Sequence, residues 1–465
     1  MTGRKLVACL LIAVICTAGA LWLVNDVRPA QAAPSRDRTE HAAEPLWSAR
    51  RVPSVVRSSV QNTLRNRASS MLTKLAAAVV APVHGCVAID SSSGALVRVD
   101  THAVFAPAST LKLLTGTAAI LRLGADHRFT TRVMSDGSGD LVLVGGGDPL
   151  LATPGFIATE HARPNDRNTP LTPLANLADA IVAAGIRHVD GALLVDDHQQ
   201  DAVRFLSAWK PSYATQGEIG SLGALTVDRG FMAGTQTPAP DPAVNAGVQL
   251  AALLAARGVT IEGGVHRGTA PSGAREVAHV DSQPLGTIVE EMLTISDNYV
   301  AEELLRALAV DAGTVPATSA AGVQVAKGEM KRLGIPTAGL VMYDGSGLAR
   351  DDRVSCDTML ALVDRIAQEP NGALDRGLAI WGRTGTLATR TGADSMIGRL
   401  RAKTGSIDGV VGLVGVVDGP AHVRFAFLAN GDFSDRTGAD LQAAVANVVG
   451  SAPRVQVPSD LVPRP

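Results

Sequence analysis

The chain of 465 residues contains little lysine, with 7 lysines against 35 arginines. It lacks the Gly-x-Ser-x-Gly elbow and the His-Glu-x-x-His zinc motif, and its cysteines and histidines show no metal-site spacing. The formal net charge is only −2, so neither sign of charge dominates. These absences exclude two common hydrolase patterns and give no reason to expect a nucleic acid or an anionic membrane surface as partner. We therefore expect no metal and no cofactor.

Two of the rare lysines lie in distinctive settings. Lys112 closes a Ser109-x-x-Lys112 motif, and Lys403 opens a Lys403-Thr404-Gly405 motif. An arginine cannot give up its proton in a protein, whereas a buried lysine can lower its pKa and act as a base. Ser296-Asp297-Asn298 lies between these two motifs. Together the three motifs indicate a serine acyl-transfer site.

The N-terminus predicts export. Arg4 and Lys5 precede an apolar run at residues 6–24, and Ala30-Gln31-Ala32 follows as a cleavage signal. We expect residues 1–32 to be a signal peptide cleaved after Ala32. If uncleaved, they would anchor the body outside the membrane, and this would be the only membrane contact. Residues 33–53 resemble a linker, and residues 451–465 form a Pro-rich tail.

Four cysteines are present, and two of them lie in the export segment. The other two, Cys86 and Cys356, allow one disulfide in an exported protein. Two buried free thiols are an equally good interpretation, because sequence does not show proximity.

The pattern of apolar residues predicts an α/β fold. It places a helix at residues 109–123, a break between two apolar helices at Ser296-Asp297-Asn298, and β-rich runs at 399–417 and 422–430. The stretch at 130–281 is mixed and punctuated by glycine and proline, which is typical of an insertion into the main body.

The spacing of Ser109 and Lys112 places both side chains on one helical face. The lysine amine could therefore accept the serine proton, and the apolar Leu111, Leu113 and Leu114 would desolvate Lys112. On its own, however, such a motif is more typical of a helix-capping serine beside a solvated lysine.

The Ser296-Asp297-Asn298 motif offers a hydroxyl that can relay a proton and an amide that can bind both a lysine and a substrate carbonyl. Taken alone, it would be an ordinary helix break with capping residues.

The third motif, Lys403-Thr404-Gly405-Ser406, lies in a β-rich run. An edge strand there could pair with an extended peptide, Lys403 and Thr404 could hold a carboxylate, and Gly405 would let a ligand approach the backbone. Taken alone, it would be a solvated strand end.

The chain resembles the penicillin-binding D-Ala-D-Ala carboxypeptidase/endopeptidase family, in its class C low-molecular-mass type. The resemblance runs from about residue 86 to residue 430. The segments that carry it are Pro107-Ala108-Ser109-Thr110-Leu111-Lys112-Leu113-Leu114-Thr115, Gly145-Gly146-Gly147-Asp148-Pro149, Ser296-Asp297-Asn298-Tyr299-Val300-Ala301-Glu302, Asp344-Gly345-Ser346-Gly347-Leu348-Ala349-Arg350, Gly385-Thr386-Leu387 with Arg390, and Lys403-Thr404-Gly405.

The resemblance implies a β-lactamase/transpeptidase-like domain, in which an antiparallel sheet is flanked by helices, with one or two smaller inserted domains. We expect residues 54–129 and 282–450 to form this discontinuous catalytic domain and residues 130–281 to form the insertion. The implied substrates are peptidoglycan stem peptides, which would place the enzyme in the periplasm or cell wall, and β-lactam antibiotics are the implied inhibitors.

The resemblance also implies the roles of the site residues. Ser109 would be the nucleophile, Lys112 the general base and Ser296 the proton shuttle to the leaving amine. Asn298 would bind the substrate amide, whereas Lys403 and Thr404 would hold the terminal carboxylate of D-Ala-D-Ala. The motif continues through Gly405 to Ser406, whose backbone N–H would form the oxyanion hole together with that of Ser109. Asp148, Asp344 and Arg390 are expected to have structural roles in turns.

Two other functions remain as alternatives. A serine β-lactamase is disfavoured because the chain has neither a Glu-x-x-Leu-Asn element nor a Tyr-x-Asn element. A non-catalytic cell-wall binding protein on the same fold is disfavoured because the serines and lysines of the motifs are intact. The sequence does not separate carboxypeptidase from endopeptidase activity.

Overall fold

The computed structural model describes residues 53–162 and 169–452. The predicted export segment, almost all of the linker and most of the Pro-rich tail lie outside these residues. Within the described ranges, no helix is both long and apolar enough to cross a membrane.

The helices of the described residues are α1 (Pro53–Val80), α2 (Lys112–Leu123), α3 (Pro154–His161), α4 (Leu174–Ala183), α5 (Ser212–Thr215), α6 (Pro242–Ala255), α7 (Leu285–Ile295), α8 (Asn298–Asp311), α9 (Ser319–Arg332), α10 (Cys356–Ala367), α11 (Ala373–Arg376) and α12 (Asp435–Gly450). Short 3-10 turns occur at Ala108–Leu111, Asp228–Gly230, Gly385–Leu387 and Asp394–Met396.

The strands are β1 (His84–Ser91), β2 (Gly94–Val99), β3 (Val104–Phe105), β4 (Thr130–Ser135), β5 (Leu141–Val144), β6 (Leu151–Ala152), β7 (Thr172–Pro173), β8 (His188–Val189), β9 (Leu193–Asp196), β10 (Thr260–Ile261), β11 (Val265–Arg267), β12 (Arg275–Asp281), β13 (Val354–Ser355), β14 (Ala379–Ile380), β15 (Leu400–Ile407), β16 (Val410–Val417) and β17 (Val423–Asn430).

The larger sheet is antiparallel and has the order β14-β15-β16-β17-β1-β2. Strand β16 is apolar and buried along its whole length, because helices cover both faces of the sheet. An apolar core lies on each face of the sheet, and alternate residues of β17 point into one or the other. Ala426 and Leu428 pack with α2, α7, α8 and α10 on one face, whereas Phe425 and Phe427 pack with α1 and α12 on the other. This is the helix-flanked antiparallel sheet that the family resemblance implied.

A second sheet is built from the stretch at 130–281. Its order is β11-β9-β5-β4-β12, with parallel pairs on the β11 side and antiparallel pairs on the β12 side. Helices α4 and α6 cover it and form a separate apolar core.

Cys86 on β1 and Cys356 at the start of α10 form a disulfide across 270 residues, with their Cα atoms 6.1 Å apart. Both residues are fully buried. The structure therefore decides the question that the sequence left open in favour of one disulfide.

The helix expected at residues 109–123 is divided. A 3-10 turn holds Ser109, and the α-helix proper begins only at Lys112 and ends before Gly124. Ala108 has a positive φ of 46°, which turns the chain sharply into the 3-10 turn. The predicted break at 296–298 is confirmed, because α7 ends at Ile295 and α8 begins at Asn298.

Candidate active site

The Lys112 side chain lies at the centre of the site. It is fully buried, and its Nζ is 2.8 Å from Ser109 Oγ, 2.7 Å from Asn298 Oδ1 and 2.7 Å from the carbonyl oxygen of Ser346. These three contacts match the three donors of an ammonium group. They fix the position of the amine beside the half-buried Ser109.

Burial lowers the pKa of Lys112 from 10.5 to about 8, although the carboxylates of Asp344, Asp297, Glu302 and Glu218 act to raise it. Desolvation has the larger effect on this pKa because none of the hydrogen bonds of the amine goes to a carboxylate. A substantial fraction of Lys112 is therefore neutral slightly above neutral pH, as a general base requires.

The Ser296-Asp297-Asn298 motif is shaped by the junction of two helices. Ser296 ends α7 in the left-handed conformation, with a φ of 66°, and Asp297 caps α8 by accepting a hydrogen bond from the backbone N–H of Val300. Asn298 then directs its Oδ1 to Lys112, while its Nδ2 donates to the carbonyl of Glu218 at 2.9 Å. The Ser296 hydroxyl is half-buried and makes no hydrogen bond within the described residues.

Strand β15 forms the opposite wall. Gly405 packs so tightly against the serine turn that a Cβ at this position would lie 2.6 Å from the carbonyl oxygen of Pro107. The neighbouring β14 pairs only with Arg401 and Ala402. From Lys403 onward, no strand of the described residues occupies this edge of β15, as expected for a strand that receives an extended peptide.

The side chains of β15 differ in exposure. Lys403 is fully buried, and its Nζ donates to the carbonyl of Thr404 at 3.0 Å. Burial, and then the charge of Lys112, hold the pKa of Lys403 well below its ordinary value. Thr404 donates from its hydroxyl to Thr386 at 2.8 Å, and Ser406 is exposed.

The loop that supplies the Ser346 carbonyl belongs to the segment at residues 344–350, which carries part of the family resemblance and which, without the family, predicts only a turn. Glu302 Oε1 accepts hydrogen bonds from the backbone N–H groups of Gly345 and Ser346, both at 2.9 Å. Asp344 accepts from the N–H groups of Gly347 and Ala349, both at 2.7 Å. These two buried carboxylates hold the loop against Lys112.

Trp209 was missed entirely, and its indole Nε1 donates to Asp344 Oδ2 at 2.8 Å. The tryptophan is 135 residues away from Asp344 in the sequence, so no local pattern indicates this contact. The Gly-rich family element marks the loop itself but not its partner.

Burial and the nearby Asp344 raise the pKa of Glu302 to about 8, and the same two causes raise the pKa of Asp352 well above its ordinary value.

The chain matches a family model described as the D-Ala-D-Ala carboxypeptidase 3 (S13) family over residues 74–242 and 235–451. A carboxypeptidase of Mycobacterium tuberculosis is 34% identical over 350 residues, which cover 70% of this chain and 71% of the relative. Carboxypeptidase DacB of Mycolicibacterium smegmatis is 32% identical over 403 residues, covering 82% and 84%.

The crystal structure of penicillin-binding protein 4 from Haemophilus influenzae superimposes with a TM-score of 0.67 at 21% identity, and the match covers 79% of this chain and 97% of that chain. This likeness confirms the fold. The family model covers both the helix-flanked sheet and the stretch at 130–281. The chain therefore belongs to the D-Ala-D-Ala carboxypeptidase 3 (S13) family and is a serine-type D-Ala-D-Ala carboxypeptidase.

Proposed function

We propose that this carboxypeptidase removes the terminal D-Ala of peptidoglycan stem peptides through an acyl-enzyme on Ser109, with Lys112 as the general base. The observation that carries the proposal is the position of Lys112 Nζ, which is 2.8 Å from Ser109 Oγ and 2.7 Å from Asn298 Oδ1. A nucleophile within hydrogen-bond reach of a base, itself oriented by a third group, is the arrangement that covalent catalysis requires.

In the acylation step, Ser109 Oγ attacks the carbonyl carbon of the penultimate D-Ala while Lys112 accepts the hydroxyl proton. The tetrahedral oxyanion is stabilised by the backbone N–H groups of Ser109 and Ser406. The C–N bond then breaks, and the proton held by Lys112 passes through the Ser296 hydroxyl to the leaving D-Ala amine. Water finally hydrolyses the ester on Ser109 and releases the shortened stem peptide.

The free edge of β15 supports a binding mode in which the substrate lies extended beside this strand. Its terminal carboxylate would bind to Lys403 and Thr404, and its amide would bind to Asn298. A bound carboxylate would favour the charged form of Lys403, offsetting the desolvation that lowers the pKa of this lysine. Substrate binding and protonation of Lys403 should therefore be linked.

β-Lactams should acylate the same serine. A second structure of the Haemophilus influenzae protein, with a TM-score of 0.62 to this chain, contains a β-lactam.

We further propose that residues 54–129 and 282–450 form the catalytic domain with residues 130–281 inserted. Export by the N-terminal segment, with action in the periplasm or cell wall, completes the proposal.

The direct test measures D-Ala release from an N-acylated L-Lys-D-Ala-D-Ala tripeptide by the wild type, Ser109→Ala and Ser296→Ala. We expect no release by Ser109→Ala and slowed release by Ser296→Ala. Ser138→Ala, in an exposed turn, is the matched control and should behave as the wild type. Unchanged release by Ser109→Ala would refute the assigned nucleophile.

A further inference from the structure

Asp297, the middle residue of the Ser296-Asp297-Asn298 motif, is bound on both carboxylate oxygens. Its Oδ1 accepts the capping hydrogen bond from Val300 N at 3.0 Å, and its Oδ2 lies 2.6 Å from Nε of Arg229. The Asp297 side chain is 6% exposed and that of Arg229 is 10% exposed. This buried ion pair therefore joins the stretch at 130–281 directly to the catalytic motif.

Arg229 makes further contacts of its own and lies in a left-handed turn. Its guanidinium lies 3.1 Å from Glu160 Oε2 and 5.3 Å from the ring centroid of Phe156. Three successive residues, Asp228, Arg229 and Gly230, have positive φ values of 55°, 55° and 77°. Such conformations are costly for residues with a Cβ and persist only where the surroundings enforce them.

The surroundings of this strained turn supply that enforcement. Both carboxylate oxygens of Asp228 accept hydrogen bonds from Thr153, from its backbone N–H and from its hydroxyl, each at 2.8 Å. The carbonyl of Gly230 accepts from Ser221 N at 3.1 Å. The strained turn thus contains the residue that reaches the catalytic motif, which is typical of a functional constraint.

The segment at residues 218–229, here called the clamp segment, contacts the start of α8 at further points. The Glu218 carbonyl accepts from Asn298 Nδ2, as described above, and the Thr226 hydroxyl is 2.5 Å from the Tyr299 hydroxyl. The N–H of Gly223 donates to Glu303 at 3.1 Å. Within the clamp segment, Arg229 is the residue that forms an ion pair with the Ser296-Asp297-Asn298 motif.

We propose that Arg229 is a positioning residue for the carboxypeptidase reaction, because its ion pair with Asp297 fixes Ser296 and Asn298 against Lys112. This inference rests on the roles proposed above for Ser109 and Lys112. Displacement of an oriented group by about 1 Å can cost on the order of 100-fold in rate. Arg229→Gln should therefore slow acylation by about 10- to 100-fold.

The charges around the Arg229–Asp297 ion pair make the pH midpoint of acylation a second measurable quantity, which a purely structural role of Arg229 would leave unchanged. Lys112 is faced by Asp297 on the helix junction and by Asp344, Glu302, Glu218 and Lys403 on other elements. Arg229 is faced by Asp228, Glu160, Glu291 and Asp297. Loss of its positive charge leaves Asp297 uncompensated near Lys112, so the pKa of Lys112 should rise and the acylation profile should move to higher pH.

The experiment measures the second-order rate constant of acylation by benzylpenicillin between pH 6 and pH 10, using the exported protein. Arg229→Gln should be slower, with its midpoint at higher pH, and Arg229→Lys should lie between it and the wild type. Asp297→Asn should move the midpoint to lower pH. In an Asp297→Asn background, Arg229→Gln should reduce the acylation rate little further, because the two residues position the motif as one unit.

Arg257→Gln is the matched control, since Arg257 forms an Nε to carboxylate pair of the same 2.6 Å length with the exposed Asp179. It should acylate as the wild type does. Wild-type rate and midpoint in Arg229→Gln, or rate effects of Arg229→Gln and Asp297→Asn that are fully additive, would overturn the proposal. If Arg229→Gln does not fold, Asp297→Asn decides, and a wild-type profile for it refutes the proposal. A wild type that is not acylated refutes the assigned site and this inference together.

Discussion

Lys112 Nζ and Ser109 Oγ lie 2.8 Å apart where the 3-10 turn that holds Ser109 leads into the first residue of α2, and the amine is completely buried. The lowered pKa of the amine and the proposed reactivity of the serine both follow from this arrangement. A buried amine without a carboxylate partner loses its proton easily, and a serine beside it gains a base.

The acylation rate should rise with pH through about pH 8, because in the proposed mechanism only neutral Lys112 accepts the Ser109 proton, and the pKa of Lys112 is lowered to about 8. Lys112→Met removes the base without leaving a buried charge and should reduce acylation by about 100- to 10,000-fold. The measurement is the rate of penicillin acylation across pH, with the exposed Lys74→Arg as control. A Lys112→Met variant that acylates at the wild-type rate would contradict this role.

Gly405→Ala should slow acylation strongly. The new Cβ would lie 2.6 Å from the carbonyl oxygen of Pro107, so β15 and the serine turn must separate. Gly328→Ala, where nothing lies within 4 Å of the new methyl group, should be neutral or slightly stabilising. Thermal unfolding and acylation rate should be measured together. Equal acylation rates in the two variants would show that the contact has no consequence.

Glu302→Gln should stabilise the protein increasingly as pH rises. The folded-state pKa of Glu302 is raised from 4.5 to about 8, so the folded state becomes less stable as pH climbs through that interval and the change levels off above it. Glutamine keeps the oxygen that accepts from Gly345 and Ser346 but does not titrate. We expect an advantage of about 4 kcal/mol at pH 8.5 and a difference of less than about 1 kcal/mol at pH 5, since each pKa unit corresponds to about 1.4 kcal/mol. A difference in unfolding temperature that is the same at both pH values would contradict the assignment.

The Cys86–Cys356 disulfide should stabilise the fold. It closes a loop of 270 residues, and removal of a native disulfide typically costs about 2–5 kcal/mol. The Cys86→Ser/Cys356→Ser double variant should unfold at a lower temperature than the wild type. Adding reductant should destabilise only the wild type; destabilisation of both proteins alike would mean that the bond is not the cause.

The local part of the site could be predicted from the sequence. Ser109 and Lys112 are three residues apart in the sequence, and residues that favour helix caps indicate the break at Ser296 to Asn298. Short-range geometry is therefore sufficient to predict both features. The strand that carries Lys403 followed from its β-rich pattern. The family resemblance supplied the arrangement of these pieces.

The parts that could not be predicted depend on contacts between distant residues. Trp209 reaches Asp344 across 135 residues, and Cys86 reaches Cys356 across 270. No periodicity or capping pattern records such pairs, because they are created by the packing of one element on another. The Arg229 contact with Asp297 belongs to the same class.

The most direct test of the Ser109 acyl-enzyme is intact-mass spectrometry of the purified protein after incubation with benzylpenicillin, beside Ser109→Ala. We predict a stable mass increase of one penicilloyl group on the wild type and none on the variant. The same adduct on Ser109→Ala, or penicillin consumed by the wild type without any adduct, would contradict a slowly deacylating enzyme that acts through Ser109.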